Sequence, residues 1–272
     1  MNQLELLFEA EGLPAFDLPQ ELETLYGGSF GLASPLLYAN FVETLDGVVA
    51  IRSEPQSNRL VSGSSDADRF VMGLLRACAD VVLLGSGTLC GSPKSVWTAE
   101  RAYPGAADAF AELRRRLGLA PHPELAVLTA SGSLDPGHPA LEQGAVVLTT
   151  EAGAGRCRSQ LPSAVEVVPL GGDATVDLQA AVALLHERGH GSILSEAGPH
   201  VFGGLLAAGL VDELFLTVSP LLAGRSEPGV RLGLVEGEEL LPERSDPARL
   251  LGVRRLGADL FLRYGLGVFS AA

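Results

Sequence analysis

The stretch DVVLLGSGTLCGS, residues 80–92, sets the fold, because an apolar run ends directly at Gly85 and Gly87. A short, continuous apolar run of this kind is typical of a strand that is covered on both faces of a sheet. Similar runs predict further strands, and amphipathic patterns between them predict helices. The predicted strands are 36–43, 80–85, 125–129, 145–150, 165–170 and 192–197, and the predicted helices are 66–79, 106–118 and 177–189. This alternation predicts an α/β domain with a mostly parallel sheet and helices on both faces.

The C-terminal part of the chain has a different pattern. Strand-like segments at 212–224, 248–257 and 258–266 follow one another without convincing helices between them. We therefore expect antiparallel strands that complete the same sheet. Prolines and glycines interrupt residues 1–35, and no linker divides the rest, so the sequence predicts an N-terminal extension (1–35) and one domain (36–272).

Composition argues against several functional classes. The 272 residues carry a formal net charge of −14, which disfavours binding to the phosphate backbone of nucleic acids. The densest basic cluster, 114–116, is interpreted as the solvated end of a helix. Apolar windows are too short for a membrane span. Three widely spaced cysteines favour neither disulfides nor a metal site, so we expect a cytoplasmic protein without a metal ion.

The glycine turn after residues 80–84 is a candidate anion site. Glycines after a strand let backbone amides approach phosphate oxygens, and Thr88 adds a hydroxyl donor. The Rossmann fingerprint does not fit, because its third glycine would fall on Cys90. A purely structural strand-to-helix turn stays open as the alternative.

A second candidate is ILSEAGPHVFGG, residues 193–204. Glu196 stands where a strand ends, which in an α/β sheet is the edge where ligands bind. The glycines after it predict a helix start whose free amides face an anion, with His200 as a helix-start residue. The alternative is that Glu196 pairs with a neighbouring arginine.

A third candidate is NFVETLDGVVA, residues 40–50. Asp46 and Gly47 between apolar segments indicate a hairpin turn. Asn40 lies inside a strand that is predicted to be buried, where its amide needs hydrogen-bond partners. The hairpin does not account for Asn40.

Together, NFVETLDGVVA, LLRACADVVLLGSGTL and LSEAGPHVFGGLLAAGLVDELFLTVSPLLAG resemble the reductase domain of bacterial riboflavin biosynthesis proteins over residues 36–265. The resemblance implies a dihydrofolate-reductase-like fold, a mixed and mostly parallel sheet with antiparallel C-terminal strands. It also implies NADPH-dependent reduction of the ribosylamino side chain of a pyrimidine phosphate. Relatives commonly form homodimers through the sheet, which would suit the apolar run 214–218.

The resemblance also implies roles for individual residues. The expected catalytic residues are Glu196 and Asp46. The expected cofactor contacts are Val42, Thr44, Gly85, Gly87, Thr88, Ser131, Gly198, Pro199, His200, Val201, Phe202, Gly203 and Gly204. The expected substrate contacts are Asn40, Asp46, Ser57, Ser62, Arg76, Lys94 and Glu196. Glu196 is expected to stabilise a cationic nitrogen of the substrate rather than to deliver a proton.

Departures from the family pattern keep alternatives open. Many relatives have lysine where Asn40 stands, and Lys94 is the chain's only lysine. Either Lys94 supplies the positive charge that relatives have at the position of Asn40, or the substrate differs from the usual one. The alternatives are a dihydrofolate or pteridine reductase on the same fold, and a non-catalytic dinucleotide-binding module. The sequence assigns no arginine to the 2′-phosphate of NADPH.

Overall fold

Strands and helices alternate along most of the chain. The computed structural model describes residues 1–54, 56–172, 174–227, 229–242 and 247–266. The strands are β1 (Glu5–Glu9), β2 (Leu36–Glu43), β3 (Ala50–Ile51), β4 (Val81–Gly85), β5 (Glu124–Thr129), β6 (Ala145–Thr149), β7 (Val165–Pro169), β8 (Ser192–Ser195), β9 (Glu213–Val218), β10 (Arg231–Leu232), β11 (Arg249–Leu256) and β12 (Asp259–Gly265). The helices are α1 (Gln20–Tyr26), α2 (Ser57–Val61), α3 (Asp66–Ala77), α4 (Ser86–Gly91), α5 (Ala99–Ala102), α6 (Ala107–Arg116), α7 (Pro139–Glu142), α8 (Glu151–Gln160), α9 (Leu178–Glu187) and α10 (Pro199–Ala207), with a 3-10 turn at Pro104–Ala106.

One large sheet organises the described residues. Its strand order is β1-β11-β12-β9-β2-β8-β4-β5-β6-β7. The strands from β9 to β7 are parallel, and β1, β11 and β12 are antiparallel to their neighbours. The predicted mixed, mostly parallel sheet is therefore confirmed.

The predicted antiparallel pairing of the C-terminal strands is confirmed for β11 and β12, whereas β9 is antiparallel to β12 only. β9 pairs in parallel with β2. The reason is the helix α10, which carries the chain back after β8, and a strand–helix–strand crossover returns the second strand in the direction of the first. β8 and β9 thus flank β2 on its two sides.

Helices cover both faces of the sheet, as predicted. Helices α3 and α6 bury Phe70, Leu74 and Phe110 against one face. Helices α9 and α10 bury Leu185 and Phe202 against the other. No helix among the described residues has both the length and the apolar character needed to cross a membrane.

The N-terminal extension is built into the core. β1 pairs with β11 and forms one edge of the sheet. Behind it, Leu22 and Phe30 are buried in the same cluster as Phe215 and Phe261. Residues 1–35 therefore complete the core that residues 36–266 form.

The interpretation of the arginine cluster is wrong for Arg114. Its side chain is buried and donates hydrogen bonds to the carbonyl oxygens of Arg76, Ala79 and Ala120. The carbonyl groups at the end of α3 lack helical partners, and a buried guanidinium satisfies them. Arg115 does lie on the surface, where it pairs with Glu112.

The apolar run 214–218 is explained by the chain's own core. β9 lies between β12 and β2, and Leu214, Phe215 and Leu216 are buried. The run therefore packs mainly within this chain's own core, and Val218 at its end is half-buried. The homodimer itself stays a prediction.

Candidate active site

The predicted site residues lie mainly where the parallel strands end. β2, β8, β4, β5 and β6 all point their carboxyl ends toward one edge of the sheet, which we call the carboxyl edge. The loops that leave this edge carry the three glycine-rich or polar motifs of the sequence. In open α/β sheets ligands bind at this edge.

Two helix N-termini converge at the carboxyl edge. α4 starts after Gly85 and α10 after Gly198, and neither residue has a side chain to cap the helix. A Cβ atom built on Gly198 would lie 3.6 Å from Thr88 Oγ1, and one on Gly85 would lie 3.2 Å from Val201 Cγ2. The two bends therefore adjoin each other, with backbone N–H groups left free for an anion.

Gly87 leaves the backbone beside the two bends uncovered. A Cβ atom built on Gly87 would meet nothing within 4 Å among the described residues beyond its own turn of α4. Together with the Thr88 hydroxyl and the two uncapped helix ends, this bare backbone fits the pyrophosphate of a dinucleotide.

The second half of the glycine motif packs against protein. Phe202 is buried in the core. A Cβ atom on Gly203 would lie 2.7 Å from the carbonyl oxygen of Glu236, and one on Gly204 would lie 2.8 Å from Leu178 Cδ1. The geometry gives these three residues a packing role, and their contact with a cofactor stays a prediction.

Glu196 forms a buried, bidentate ion pair with Arg76. Arg76 Nε donates to Glu196 Oε1 at 2.9 Å, and Nη2 donates to Oε2 at 2.6 Å. The side chains are 8% and 9% exposed, respectively. α3 supplies the arginine and the end of β8 supplies the carboxylate. The arginine partner left open as the alternative for Glu196 is thus a residue that the resemblance places against the substrate.

Asn40 lies near the carboxyl edge. It follows Ala39, which pairs with Ser195 as the last pair of β2 and β8, and it lines a small cavity with Thr217 and Arg263. The side chain of Asn40 is partly buried and has no hydrogen-bond partner among the described residues. A polar amide in this position is available to a ligand.

Asp68, which sequence reasoning missed, adds a second buried carboxyl group near the ion pair. Its carboxyl group is buried, and burial raises its pKa to about 6 despite a hydrogen bond from the Thr217 hydroxyl. The charges of Asp259 and Glu196 raise this pKa further and that of Arg76 lowers it. The sequence could have indicated Asp68 as a site residue, because Asp68 and Arg76 are eight residues apart and share one helix face. We call Asn40, Asp68, Arg76, Glu196 and Thr217 the α3 crevice.

Asp46 holds two loops together. Its Oδ1 accepts hydrogen bonds from Thr44 Oγ1 at 2.6 Å and from the Ala223 amide at 3.0 Å, and Oδ2 accepts one from the Gly224 amide at 2.8 Å. These bonds, that of Thr44 first, lower the pKa of Asp46 to about 2. The arrangement gives Asp46 a structural role, and its catalytic and substrate-binding roles stay predictions.

The turn at Asp46 is not part of a β2–β3 hairpin. Gly47 has a φ of +74°, as the predicted turn requires. β3, however, pairs with β10, so the hairpin interpretation is wrong although the turn is right. β3 and β10 instead form a small second sheet.

Other predicted residues scatter around the carboxyl edge. Val42 and Thr44 are buried at the end of β2. Ser57 accepts a hydrogen bond from the Ile51 amide, and Ser62 is buried at the end of α2. These contacts are structural, so the ligand contacts expected for the four residues stay predictions.

Lys94 and His200 are exposed. Lys94 lies in the loop after α4 and is not brought into the α3 crevice by any described contact. His200 is the second residue of α10, and its Nε2 lies 2.7 Å from Arg52 Nη2. Sequence reasoning missed Arg52, which adds a positive charge at the uncapped start of α10.

Ser131 follows β5 at the same edge. It is exposed, and its carbonyl oxygen accepts a hydrogen bond from Arg156 Nη1 at 2.8 Å. β5 is the next strand after β4, so Ser131 lies one strand beyond the glycine turn of residues 85–88. The carboxyl edge thus carries, in order, the α3 crevice, the two glycine bends and Ser131.

The parallel centre and the antiparallel strands at one side are the mixed, mostly parallel α/β sheet that was expected for a dihydrofolate-reductase-like fold. A solved pyrimidine reductase-like protein from Corynebacterium diphtheriae has this fold, with a TM-score of 0.62 at 23% identity over 92% of this chain and 95% of that chain. The chain belongs to the RibD C-terminal domain family, whose model matches residues 35–261.

Two archaeal relatives are also similar in sequence. Both are named 2,5-diamino-6-ribosylamino-4(3H)-pyrimidinone 5′-phosphate reductase. The protein from Methanothermobacter thermautotrophicus is 28% identical over 85% of this chain and 97% of its own length. The protein from Archaeoglobus fulgidus is 25% identical over 82% of this chain and 94% of its own length.

Proposed function

We propose that the protein is an NADPH-dependent reductase that converts the ribosylamino side chain of a pyrimidine phosphate to the ribitylamino form. The observation that carries this proposal is the meeting of two uncapped helix N-termini beside the buried Glu196–Arg76 pair. Membership of the RibD C-terminal domain family and the names of the two archaeal relatives support the substrate class.

The cofactor would bind along the carboxyl edge. Backbone amides at the starts of α4 and α10, with the Thr88 hydroxyl, would hold the pyrophosphate. NADPH supplies the hydride when bound, and the chain contributes binding, orientation and exclusion of water.

The α3 crevice would hold the reacting part of the substrate. Arg76 fixes both oxygens of Glu196, so the carboxylate is oriented before the substrate arrives. A carboxylate in this dry position stabilises a cationic nitrogen of the ring-opened substrate. The Asn40 amide, which offers both a donor and an acceptor, would orient the pyrimidine ring.

The test is oxidation of NADPH by the purified chain. We expect turnover with the ribosylamino pyrimidine phosphate and much slower turnover with dihydrofolate. Faster turnover of dihydrofolate would favour the pteridine-reductase alternative. Nucleotide binding without oxidation in the presence of either substrate would favour a non-catalytic module and contradict the proposal.

We also propose that the protein works in the cytoplasm as a homodimer. The three cysteines, Cys78, Cys90 and Cys157, are free thiols, which suits a reducing compartment. Dimer formation rests on the family resemblance alone, and light scattering of the purified chain would test it.

A further inference from the structure

The loop that follows β5 is fastened to α8 by three successive carbonyl groups. The carbonyl oxygen of Ala130 accepts a hydrogen bond from Thr150 Oγ1 at 2.8 Å. That of Ser131 accepts one from Arg156 Nη1 at 2.8 Å. That of Gly132 accepts a weak one from Cys157 Sγ at 3.5 Å. Each carbonyl of the loop 130–132 is therefore held by a side chain from the start or the middle of α8.

Close backbone contact makes this junction rigid. A Cβ atom on Gly132, which has a φ of +66°, would lie 2.3 Å from the carbonyl oxygen of Gly153. A Cβ atom on Gly153 would lie 2.2 Å from Thr149 Oγ1. Neither position tolerates a larger residue, so the loop and the helix keep a fixed separation. The bond to Ser131 therefore holds Arg156 in a defined place.

Arg156 has most of its hydrogen-bonding capacity left over. Only Nη1 has a partner among the described residues, and that partner is an uncharged carbonyl group. The described part of the chain brings no carboxylate within ion-pair distance of its guanidinium. The side chain is exposed, so Nε and Nη2 remain available to a ligand.

The order of sites along the carboxyl edge decides which part of a dinucleotide would reach Arg156. The α3 crevice lies over β2 and β8, and the two glycine bends follow β4 and β8. In a dinucleotide the pyrophosphate lies between the reacting half and the adenosine half. With the reacting half in the crevice, the adenosine half extends the other way, over β5, about 4.8 Å beyond β4. The loop 130–132 and Arg156 occupy that position.

We propose that Arg156 binds the 2′-phosphate of the adenosine ribose and thereby makes the protein prefer NADPH to NADH. This inference rests on the proposed function, because it takes the dinucleotide to lie along the carboxyl edge. A guanidinium group binds phosphate through two parallel hydrogen bonds, and NADH lacks this phosphate. The Ser131 carbonyl positions the guanidinium, and the rigid loop lowers the entropic cost of binding.

Binding of nucleotide fragments tests the proposal without turnover. Calorimetry would compare adenosine 2′,5′-bisphosphate with adenosine 5′-monophosphate on the whole chain and on Arg156→Ala. We expect the Kd of the bisphosphate to rise about 10- to 100-fold, because a charge-assisted bond is lost. The Kd of the monophosphate should change less than about twofold, since that ligand has no 2′-phosphate. Arg156→Lys should recover part of the affinity.

Two further variants serve as controls. Arg158→Ala removes the same charge from the same helix, but Arg158 Nη2 donates to the Val167 carbonyl instead. Thr150→Val removes a loop contact and keeps every charge. Arg158→Ala should leave both affinities unchanged, and Thr150→Val should weaken the two ligands alike.

Three outcomes would overturn the inference. The first is an unchanged affinity ratio in Arg156→Ala, and the second is an equal loss in Arg158→Ala, which would indicate unspecific electrostatics. The third is that the unaltered chain binds neither NADPH nor NADH, in which case the proposed function fails as well. Binding of both dinucleotides with no effect of Arg156 would refute this inference alone.

Discussion

Two buried arginine–glutamate pairs in this molecule have nearly the same geometry and different surroundings. Arg76 holds Glu196 with bonds of 2.9 and 2.6 Å, and Arg263 holds Glu213 with bonds of 2.7 and 3.0 Å. All four side chains are about one-tenth exposed or less. The pairs themselves therefore do not reveal which one belongs to a ligand site.

The residues around each ion pair do show which pair belongs to a ligand site. Arg263 also donates to the Gly31 carbonyl at 3.0 Å and faces the rings of Phe30 and Phe215. Residues of the N-terminal extension thus help to enclose the Arg263–Glu213 pair in the core. The Arg76–Glu196 pair instead interacts electrostatically with the buried carboxyl of Asp68, and it stands where β2 and β8 stop pairing, one residue before the unpartnered amide of Asn40. A buried ion pair indicates a binding site when polar groups beside it still lack partners.

The largest effect is expected when the enclosed pair is broken. Glu213→Gln leaves the Arg263 guanidinium buried without a counter-charge, which costs about 3–5 kcal/mol of unfolding free energy. Urea denaturation measures this loss. Activity per folded molecule should stay normal. A loss below about 1 kcal/mol would show that the pair is not structural and would remove the contrast.

Breaking the Arg76–Glu196 pair should lower turnover rather than stability. Glu196→Gln keeps the shape but removes the charge that stabilises the cationic nitrogen, so kcat/KM should fall about 100- to 1,000-fold. Steady-state kinetics measure kcat/KM, and titration with NADPH measures its Kd. The Kd of NADPH should stay nearly constant, because Glu196 is not among the proposed phosphate contacts. Equal losses of turnover and nucleotide affinity would assign Glu196 to the scaffold.

A smaller, pH-dependent effect is expected at Asp68. Its pKa is raised from 3.8 to about 6 in the folded chain, so the folded state binds the proton more tightly than the unfolded state. Stability from this group is present at low pH and is lost as pH rises from about 4 to above 6, by at most about 3 kcal/mol.

Asp68→Asn should remove this pH dependence. The variant carries no carboxylate to bury, so it should be more stable than the unaltered chain at pH 8 and similar to it at pH 4. Thermal unfolding across this pH range, with Asp66→Asn as an exposed control on the same helix, measures the difference. A variant that is less stable at pH 8 would contradict the raised pKa.

Local patterns were enough to predict the centre of the fold. β4 and β6 are continuous apolar runs and β2 and β5 are mostly apolar, which is the common pattern of a buried parallel strand. Gly85 and Gly198 were predictable for the same reason, because a glycine after such a strand indicates a close backbone approach. The structure brings these two bends together, because a Cβ atom on Gly198 would lie 3.6 Å from Thr88 Oγ1.

Contacts between distant parts of the chain were not predictable. α8 contains two glycines in EAGAGRCRSQ and lacks a clear apolar stripe, so its helix and the Arg156–Ser131 contact were missed. Arg52 and His200 are 148 residues apart, and only the fold brings them together. Arg114 was misinterpreted because a charged run looks solvated in sequence, whereas the end of α3 needs donors.

The placement of residues 1–35 has a practical consequence for anyone who trims this protein. The family match starts at residue 35, yet Leu4, Leu22 and Phe30 fill the space above Phe215 and Phe261. A fragment cut at the homology boundary would lose the wall that shields these rings and the partner strand of β11. The segment that the family model matches is thus shorter than the segment that builds this chain's core.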